Sequence, residues 1–154
     1  MRIKNKFNIK TIKPIILASK SEIRYKILRE TGLELKKIDS NIDEAMVKRK
    51  YKDKPYSYLA LKLAEEKARI LSNKFPESYI IGADQICILD NKIFNKPESK
   101  KNAIDQLKLM QGKEHIQISA FCLFYNRVLI SKGMDKAFLT MRKLSVDNIK
   151  NYID

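Results

Sequence analysis

The sequence predicts an α/β fold of the mixed α+β kind, in which helices flank a central mixed, twisted sheet. Short apolar runs alternate with amphipathic segments in the first half of the chain, which is typical of strands that alternate with helices. In the second half, two apolar runs around an Asp-Asn pair predict a hairpin. The length of 154 residues fits one compact domain, and 44% hydrophobic with 32% charged residues is a globular composition.

The first half of the chain is predicted to alternate strands with helices. Apolar runs predict the strands, and apolar residues at helical spacing predict the helices. The predicted bounds in chain order are strand 15–18, helix 22–31, strand 33–39 and helix 57–73. Ser21 is a suitable cap for the first helix and Gly32 a suitable stop, whereas the polar stretch 41–55 is interpreted as a loop or a frayed helix.

The second half of the chain is predicted to pair its strands as hairpins. The predicted bounds are strands 79–82, 86–89 and 92–94, helix 99–110, strands 115–125, 128–130 and 134–141, and a last helix 145–154. Asp90 and Asn91 predict a tight turn between the second and third of these strands. Ser99 and Ser145 are predicted helix caps.

Composition excludes several chemistries. Cys87, Cys122 and His115 are the chain's only cysteines and histidine, so it cannot supply the four clustered ligands of a Cys/His zinc site. A Ser–His–Asp centre could use only His115, and no apolar run approaches the roughly 18 residues of a membrane span. Two cysteines without a CxxC pair suit a reducing compartment, so a cytoplasmic protein is expected.

The net charge of +14 is compatible with polyanionic partners such as nucleic acid, a membrane surface or phosphorylated small molecules. The lysines are spread over every segment, which favours a general bias in composition over one binding patch. Residues 1–13 are basic but lack the apolar core of a secretory signal. They are interpreted as a basic extension ahead of a single domain over 14–154.

Two of the segments that could carry chemistry lie on predicted helices, and each also has a structural interpretation. Ser19 and Ser21 mark a strand-to-helix turn whose N–H groups, with Arg24 in the first turn, suit an anion. Serine at a helix start is, however, more often only a cap. Lys67 lies at the edge of the buried helical stripe, where it either extends outward or holds a charge over an internal anion site.

Three further segments lie near strands or in loops. Asp84 follows an apolar strand, where open α/β sheets place functional groups, but a capping role is equally ordinary. Lys96 precedes Pro97, which forces an extended backbone at the lysine. Asp43 and Glu44 form a small acidic cluster that, taken by itself, would be solvated.

The order of these segments is more specific than any one of them. Along the chain the segments are Leu17-Ala18-Ser19-x-Ser21-x-x-Arg24, Asp43-Glu44, Leu63-Ala64-x-x-Lys67-Ala68, Gly82-Ala83-Asp84 and Lys96-Pro97. From Pro14 to Tyr152, this order resembles the Maf family of nucleoside triphosphate pyrophosphatases. Within it, the stretch 84–90 with Gln85 is similar to the branch that prefers 7-methyl-GTP.

The resemblance implies a Maf/ITPase-like fold and hydrolysis of a modified or non-standard nucleoside triphosphate between its α and β phosphates, assisted by Mg²⁺ or Mn²⁺. The implied roles are Asp84 as base or metal ligand, Glu44 as metal ligand, Ser19, Arg24, Lys67 and Lys96 as triphosphate ligands, and Ile23 and Gln85 as specificity residues. Phosphoryl chemistry asks mainly for positioning and electrostatics, so it needs no nucleophilic Cys or Ser. A hard divalent cation also explains two carboxylates among the cations.

The family pattern continues past residue 154 with an Ala-Gly and aromatic loop, a strand and a helix, so the resemblance implies a chain without that C-terminal segment. The expected partner is the nucleotide substrate. A membrane or nucleic acid is not expected, and a homodimer is compatible with the sequence. Two alternatives stay open: a weakly active or inactive relative that only binds nucleotide, and a basic nucleic-acid-binding protein.

Overall fold

The structure is a computed structural model that describes residues 11–153, so most of the basic extension lies outside the described residues. The elements in chain order are β1 Ile15–Ala18, α1 Glu22–Glu30, β2 Lys36–Ile38, α2 Glu44–Lys50, α3 Tyr56–Lys74, β3 Tyr79–Leu89, β4 Lys92–Phe94, α4 Lys100–Met110, β5 Glu114–Tyr125, β6 Val128–Thr140 and α5 Val146–Ile153. The strands form a sheet in the order β2-β1-β3-β5-β6, with β4 paired to β3. Parallel and antiparallel pairs both occur, which confirms the mixed α/β fold.

The described chain divides into two compact units. Unit 1 comprises residues 11–84 and 120–134, and unit 2 comprises residues 85–119 and 135–153. Strands β3, β5 and β6 contribute residues to both units. No helix between residues 11 and 153 has the length and apolar character needed to cross a bilayer.

Unit 1 is built on β1, which pairs in parallel with β2 and with β3. Alternate side chains of a strand point to opposite faces. On the face toward α1, the packed apolar residues include Ile15, Leu17, Leu35, Tyr25, Leu28 and Ile81. On the opposite face lies α3, whose Ala64 carbonyl approaches Gly82 of β3.

The long helix α3 buries a broader face than the sequence predicts. Ala64, Ala68 and Leu71 are buried as expected, but Leu63 is also fully buried, whereas Leu61 is only half-buried. The helix packs against both β1 and α2, so its buried surface is a wide band rather than a single stripe.

Unit 2 contains the predicted hairpin and two packed helices. Asp90 and Asn91 both have positive φ, +49° and +58°, which is the backbone of the two-residue turn that connects β3 with β4. Ser99 Oγ accepts a hydrogen bond from the Asn102 N–H and caps α4, as predicted. Helix α4 packs against α5.

Two predicted breaks between strands are wrong. The strands predicted at 79–82 and 86–89 are one strand, β3, and those at 128–130 and 134–141 are one strand, β6. A strand continues through polar or glycine residues when a neighbouring strand supplies its backbone hydrogen bonds, and local composition does not reveal that neighbour. The polar stretch 41–55 contains a defined helix, α2.

Candidate active site

The turn from β1 into α1 holds two of the predicted site residues. The Ser19 N–H donates to the carbonyls of Leu17 and Ile38, at 3.0 and 3.1 Å, so the turn is fixed against two strands. The buried Ser19 Oγ accepts from Arg24 Nη1 at 3.0 Å and from the Ser21 N–H at 3.1 Å. Ser21 caps α1, while Ser19 orients the Arg24 guanidinium.

The two residues between this cap and Arg24 face away from the turn. Glu22 is largely exposed and forms an ion pair with Lys37, which neutralises its charge. Ile23 is 70% exposed on the surface of α1. The predicted specificity role of Ile23 therefore has no support from burial and stays a prediction.

Asp84 lies in the middle of β3, not at the end of a strand as the sequence suggested. Pairing between β1 and β3 stops at Ala18 and Gly82, so Asp84 lies two residues beyond the carboxyl end of β1. The sheet edge on which functional groups collect is therefore made by the end of β1, while β3 continues past it. The Asp84 side chain is only 9% exposed.

Lys67 joins Asp84 to Glu44. Its Nζ lies 2.6 Å from Asp84 Oδ1 and 2.8 Å from Glu44 Oε1, and its side chain is 9% exposed. Lys67 therefore does not extend outward, which was one of the two interpretations of its position. We call Glu44, Lys67 and Asp84 the Lys67 cluster.

The acidic pair at the start of α2 is not simply solvated. Asp43 Oδ1 accepts from the Met46 N–H at 2.9 Å and caps the helix. Glu44 begins the first turn, where its half-exposed side chain reaches Lys67. One carboxylate of the pair therefore builds the helix, and the other belongs to the cluster.

The environment shifts the pKa values of the two cluster carboxyl groups in opposite directions. Burial raises the pKa of Asp84, and the opposing attraction of Lys67 does not overcome it. Burial also acts to raise the pKa of Glu44, but the hydrogen bond and charge of Lys67, with the charges of Lys48 and Arg24, lower it overall. The Arg24 charge favours ionisation of both carboxyl groups, which places the guanidinium in the electrostatic field of the cluster.

Two carboxyl groups with separated pKa values can do different chemistry. A carboxylate with a raised pKa is the better proton acceptor near neutral pH, and one with a lowered pKa stays ionised. Asp84 is therefore the better candidate for a general base, while Glu44 is the better candidate for a carboxylate that stays ionised. Six of the predicted site residues belong to unit 1: Ser19, Ile23, Arg24, Glu44, Lys67 and Asp84.

The remaining predicted site residues belong to unit 2. Gln85 is exposed, and its Nε2 donates to Gln117 Oε1 at 2.9 Å. Lys96 is exposed and lies two residues after the end of β4. Their roles in specificity and in triphosphate binding stay predictions.

Two residues near the site were not singled out from the sequence. Asp39, one residue after β2, accepts from Lys20 at 2.9 Å and from the Asn41 N–H at 3.1 Å. Its position after a strand was an available signal. Cys122, interpreted only as a core residue, donates its thiol to the Ala64 carbonyl at 3.2 Å, and no sequence signal indicated that contact.

The Lys67 cluster contains two carboxylates that a hard divalent cation could use as ligands. Between residues 11 and 153 no group of three His, Cys, Asp or Glu side chains converges, so a metal at this cluster could take only Glu44 and Asp84 as carboxylate ligands. Mg²⁺ is usually bound by one or two carboxylates, with substrate phosphates and waters completing its shell. The Lys67 ammonium already places a positive charge beside both carboxylates. Because Lys67 Nζ contacts both carboxylates, a cation would have to share them with the ammonium, and the use of Mg²⁺ or Mn²⁺ stays a prediction.

Comparison with known proteins identifies the family. The model of the Maf-like protein family matches residues 14–154. A relative from Legionella pneumophila (strain Paris), named nucleoside triphosphate pyrophosphatase, is 38% identical over 141 residues, which cover 92% of this chain and 70% of the relative. A relative of the same name from Pelagibacter ubique is 40% identical over 145 residues, 92% of this chain and 74% of the relative. The solved structure of a HAM1 protein from Coxiella burnetii matches with a TM-score of 0.46 and 11% identity, over 82% of this chain and 71% of that one. The chain belongs to the Maf-like protein family.

Proposed function

We propose that this chain is a nucleoside triphosphate pyrophosphatase, a hydrolase that cleaves between the α and β phosphates and releases a nucleoside monophosphate and pyrophosphate. The observation that carries the proposal is the Lys67 cluster, with Lys67 and Asp84 buried, within the electrostatic field of the Arg24 guanidinium. Two cations and two carboxylates at one site suit a polyphosphate with a divalent cation. The name that the curated relatives share supports the same reaction class.

In the proposed complex, the cations of the Lys67 cluster and of the β1–α1 turn bind the triphosphate. Ser19 Oγ holds Arg24 Nη1, which fixes the plane of the guanidinium and directs its remaining N–H donors to phosphate oxygens. Lys67 supplies a compact charge with three N–H donors. Lys96, the third predicted triphosphate ligand, belongs to unit 2, and its role is proposed from the order of motifs alone.

Hydrolysis needs a water that loses its proton as it attacks phosphorus. Asp84 accepts that proton, because its raised pKa suits it to proton transfer near neutral pH. Lys67 bonds to Asp84 Oδ1 and thereby fixes the orientation of the carboxyl group. Glu44 and Asp84 would hold the divalent cation, which would supply positive charge that assists the reaction of the phosphates with water.

The proposed substrate is a modified or non-standard nucleotide, of which 7-methyl-GTP is the leading candidate. Support comes from the stretch 84–90 and from Gln85, whose amide is held by Gln117. Replacing Gln85 by Thr is expected to lower the ratio of kcat/KM for 7-methyl-GTP to that for GTP. If Gln85→Thr leaves this ratio unchanged, Gln85 does not take part in recognition of the base.

The reaction is tested by a screen of common and methylated nucleoside triphosphates with Mg²⁺ or Mn²⁺, measuring released pyrophosphate. Asp84→Asn is expected to lower the rate on the best substrate by roughly 100-fold or more. The matched control is Asp90→Asn. Asp90 is an exposed aspartate just beyond the end of β3, and asparagine also adopts the positive φ of this turn position. Chelation by EDTA is expected to stop release, and added Mg²⁺ or Mn²⁺ to restore it.

Each part of the proposal can fail separately. An Asp84→Asn variant as fast as the wild type removes Asp84 from the base role. Full activity in the presence of EDTA would show that the reaction does not depend on a metal. Nucleotide-dependent thermal stabilisation without any pyrophosphate release would identify a protein that only binds nucleotide.

A further inference from the structure

Helix α3 and strand β3 cross at a very short distance. A Cβ atom built on Gly82 would lie 2.0 Å from the Ala64 carbonyl oxygen and 2.9 Å from the Ala68 Cβ. No side chain fits between the two backbones there, so glycine is required for this approach. Ala64 and Ala68 are themselves fully buried.

The same Ala64 carbonyl receives a hydrogen bond from a third element. Cys122 of β5 is fully buried and its Sγ donates to Ala64 O at 3.2 Å. Burial raises the pKa of Cys122 to about 12, although a backbone hydrogen bond from Gly82 acts in the opposite direction. The thiol therefore keeps its proton at neutral pH and remains a donor.

The crossing lies directly beside the Lys67 cluster. Lys67 follows Ala64 by three residues on α3, which is about one helical turn. Asp84 follows Gly82 by two residues on β3 and points to the same face of the strand. The contact of 2.6 Å between Lys67 Nζ and Asp84 Oδ1 therefore spans the same gap between α3 and β3, next to the crossing.

We propose that Cys122 is a positioning residue of the active site. Its thiol holds the Ala64 carbonyl against Gly82, which fixes α3 over β3 and keeps the Lys67 ammonium on Asp84. The inference rests on the proposed pyrophosphatase function for its kinetic readout, because Cys122 itself contacts no reacting group.

The test compares Cys122→Ala, which removes the donor, with Cys122→Ser, which keeps one. Cys122→Ala is expected to lower kcat by roughly 10- to 100-fold with little change in KM, because a small misplacement of a catalytic group costs that much. Cys122→Ser is expected to recover most of that loss. The control is Ser72→Ala, which removes another buried hydrogen bond of α3, to the Arg127 N–H at 3.0 Å, away from the cluster.

A purely structural role of Cys122 would give a different result. In that case Cys122→Ala and Ser72→Ala would both lower the melting temperature, while kcat of the folded protein stayed at the wild-type value, and the proposal would be overturned. Crystal structures of the variants give a second readout, in which the Lys67 Nζ–Asp84 Oδ1 contact is lost in Cys122→Ala and kept in Cys122→Ser. If no nucleoside triphosphate is hydrolysed, the proposed function fails, and this distance still tests the positioning role.

Discussion

Burial makes the ionised form of Asp84 unfavourable for the folded protein. Its carboxyl group is buried on β3 and its pKa is raised even though the Lys67 ammonium bonds to it directly. Burial penalises the ionised form more than one ammonium favours it. Sites that carry chemistry commonly retain such unfavourable groups at a cost in stability.

This cost gives Asp84→Asn a pH-dependent effect on stability. A group whose pKa is higher in the folded than in the unfolded protein contributes stability that is present at low pH and lost as the pH rises through the folded pKa. The variant has no such loss, so its free energy of unfolding relative to wild type should increase as the pH rises from below 3.8 to about 7. Urea denaturation across this range measures the difference. A difference that shrinks with rising pH would contradict the argument.

Lys67 has the opposite role, because it compensates two carboxylates. Lys67→Met leaves the buried Asp84 charge without its partner, which is expected to cost about 3 kcal/mol of unfolding free energy at neutral pH. The double variant Lys67→Met with Asp84→Asn removes the uncompensated charge as well. It should therefore be more stable than the sum of the two single effects by over about 1 kcal/mol. Additive effects in denaturant titrations would show that the two groups are not coupled.

At the scale of elements, the approach of α3 to β3 depends on Gly82. Gly82→Ala would place a methyl group against the Ala64 backbone, which can yield only if the helix moves, so a loss of about 1–3 kcal/mol is expected. Gly133→Ala on β6 is the matched control. Its new Cβ would meet only the far end of the half-exposed Phe121 ring, at 2.7 Å, which can turn away. Thermal unfolding should therefore show a large shift for the first variant and little or none for the second.

Elements fixed by local signals could be predicted from the sequence, and those fixed by neighbours could not. The caps at Ser21 and Ser99 and the turn at Asp90-Asn91 depend on hydrogen bonds and φ values within a few residues. The continuity of β3 through Asp84 depends instead on strands distant in the chain. The direction of Lys67 depends on Asp84 and Glu44, which lie 17 and 23 positions away, so its own helix could not reveal it.

At the scale of the whole chain, the order of motifs grouped Glu44, Lys67 and Asp84, which no motif did alone, and these three side chains do lie in contact. Asp43 and Glu44 looked solvated in isolation, yet Glu44 completes the Lys67 cluster. The family match over residues 14–154 spans all of these segments, so their order is a feature of the whole chain. The order of motifs did not point to Cys122, because its side chain contacts the backbone carbonyl of Ala64. A buried cysteine gives the same sequence pattern whether or not its thiol makes such a hydrogen bond.

The net charge of +14 is a property of the whole chain and should be separable from the site. The alternative of a basic nucleic-acid-binding protein predicts binding of single-stranded nucleic acid whose affinity falls linearly with salt on logarithmic axes, because counterions are released from neutralised phosphates. Arg24→Gln removes one of 32 cations and should leave this binding nearly unchanged. The same variant should weaken binding of a non-hydrolysable nucleoside triphosphate by roughly tenfold or more, since it removes charged hydrogen bonds to phosphate. Fluorescence anisotropy with labelled oligonucleotide and calorimetry with the nucleotide measure the two affinities, and an equal loss in both would place nucleic acid at the Arg24 site.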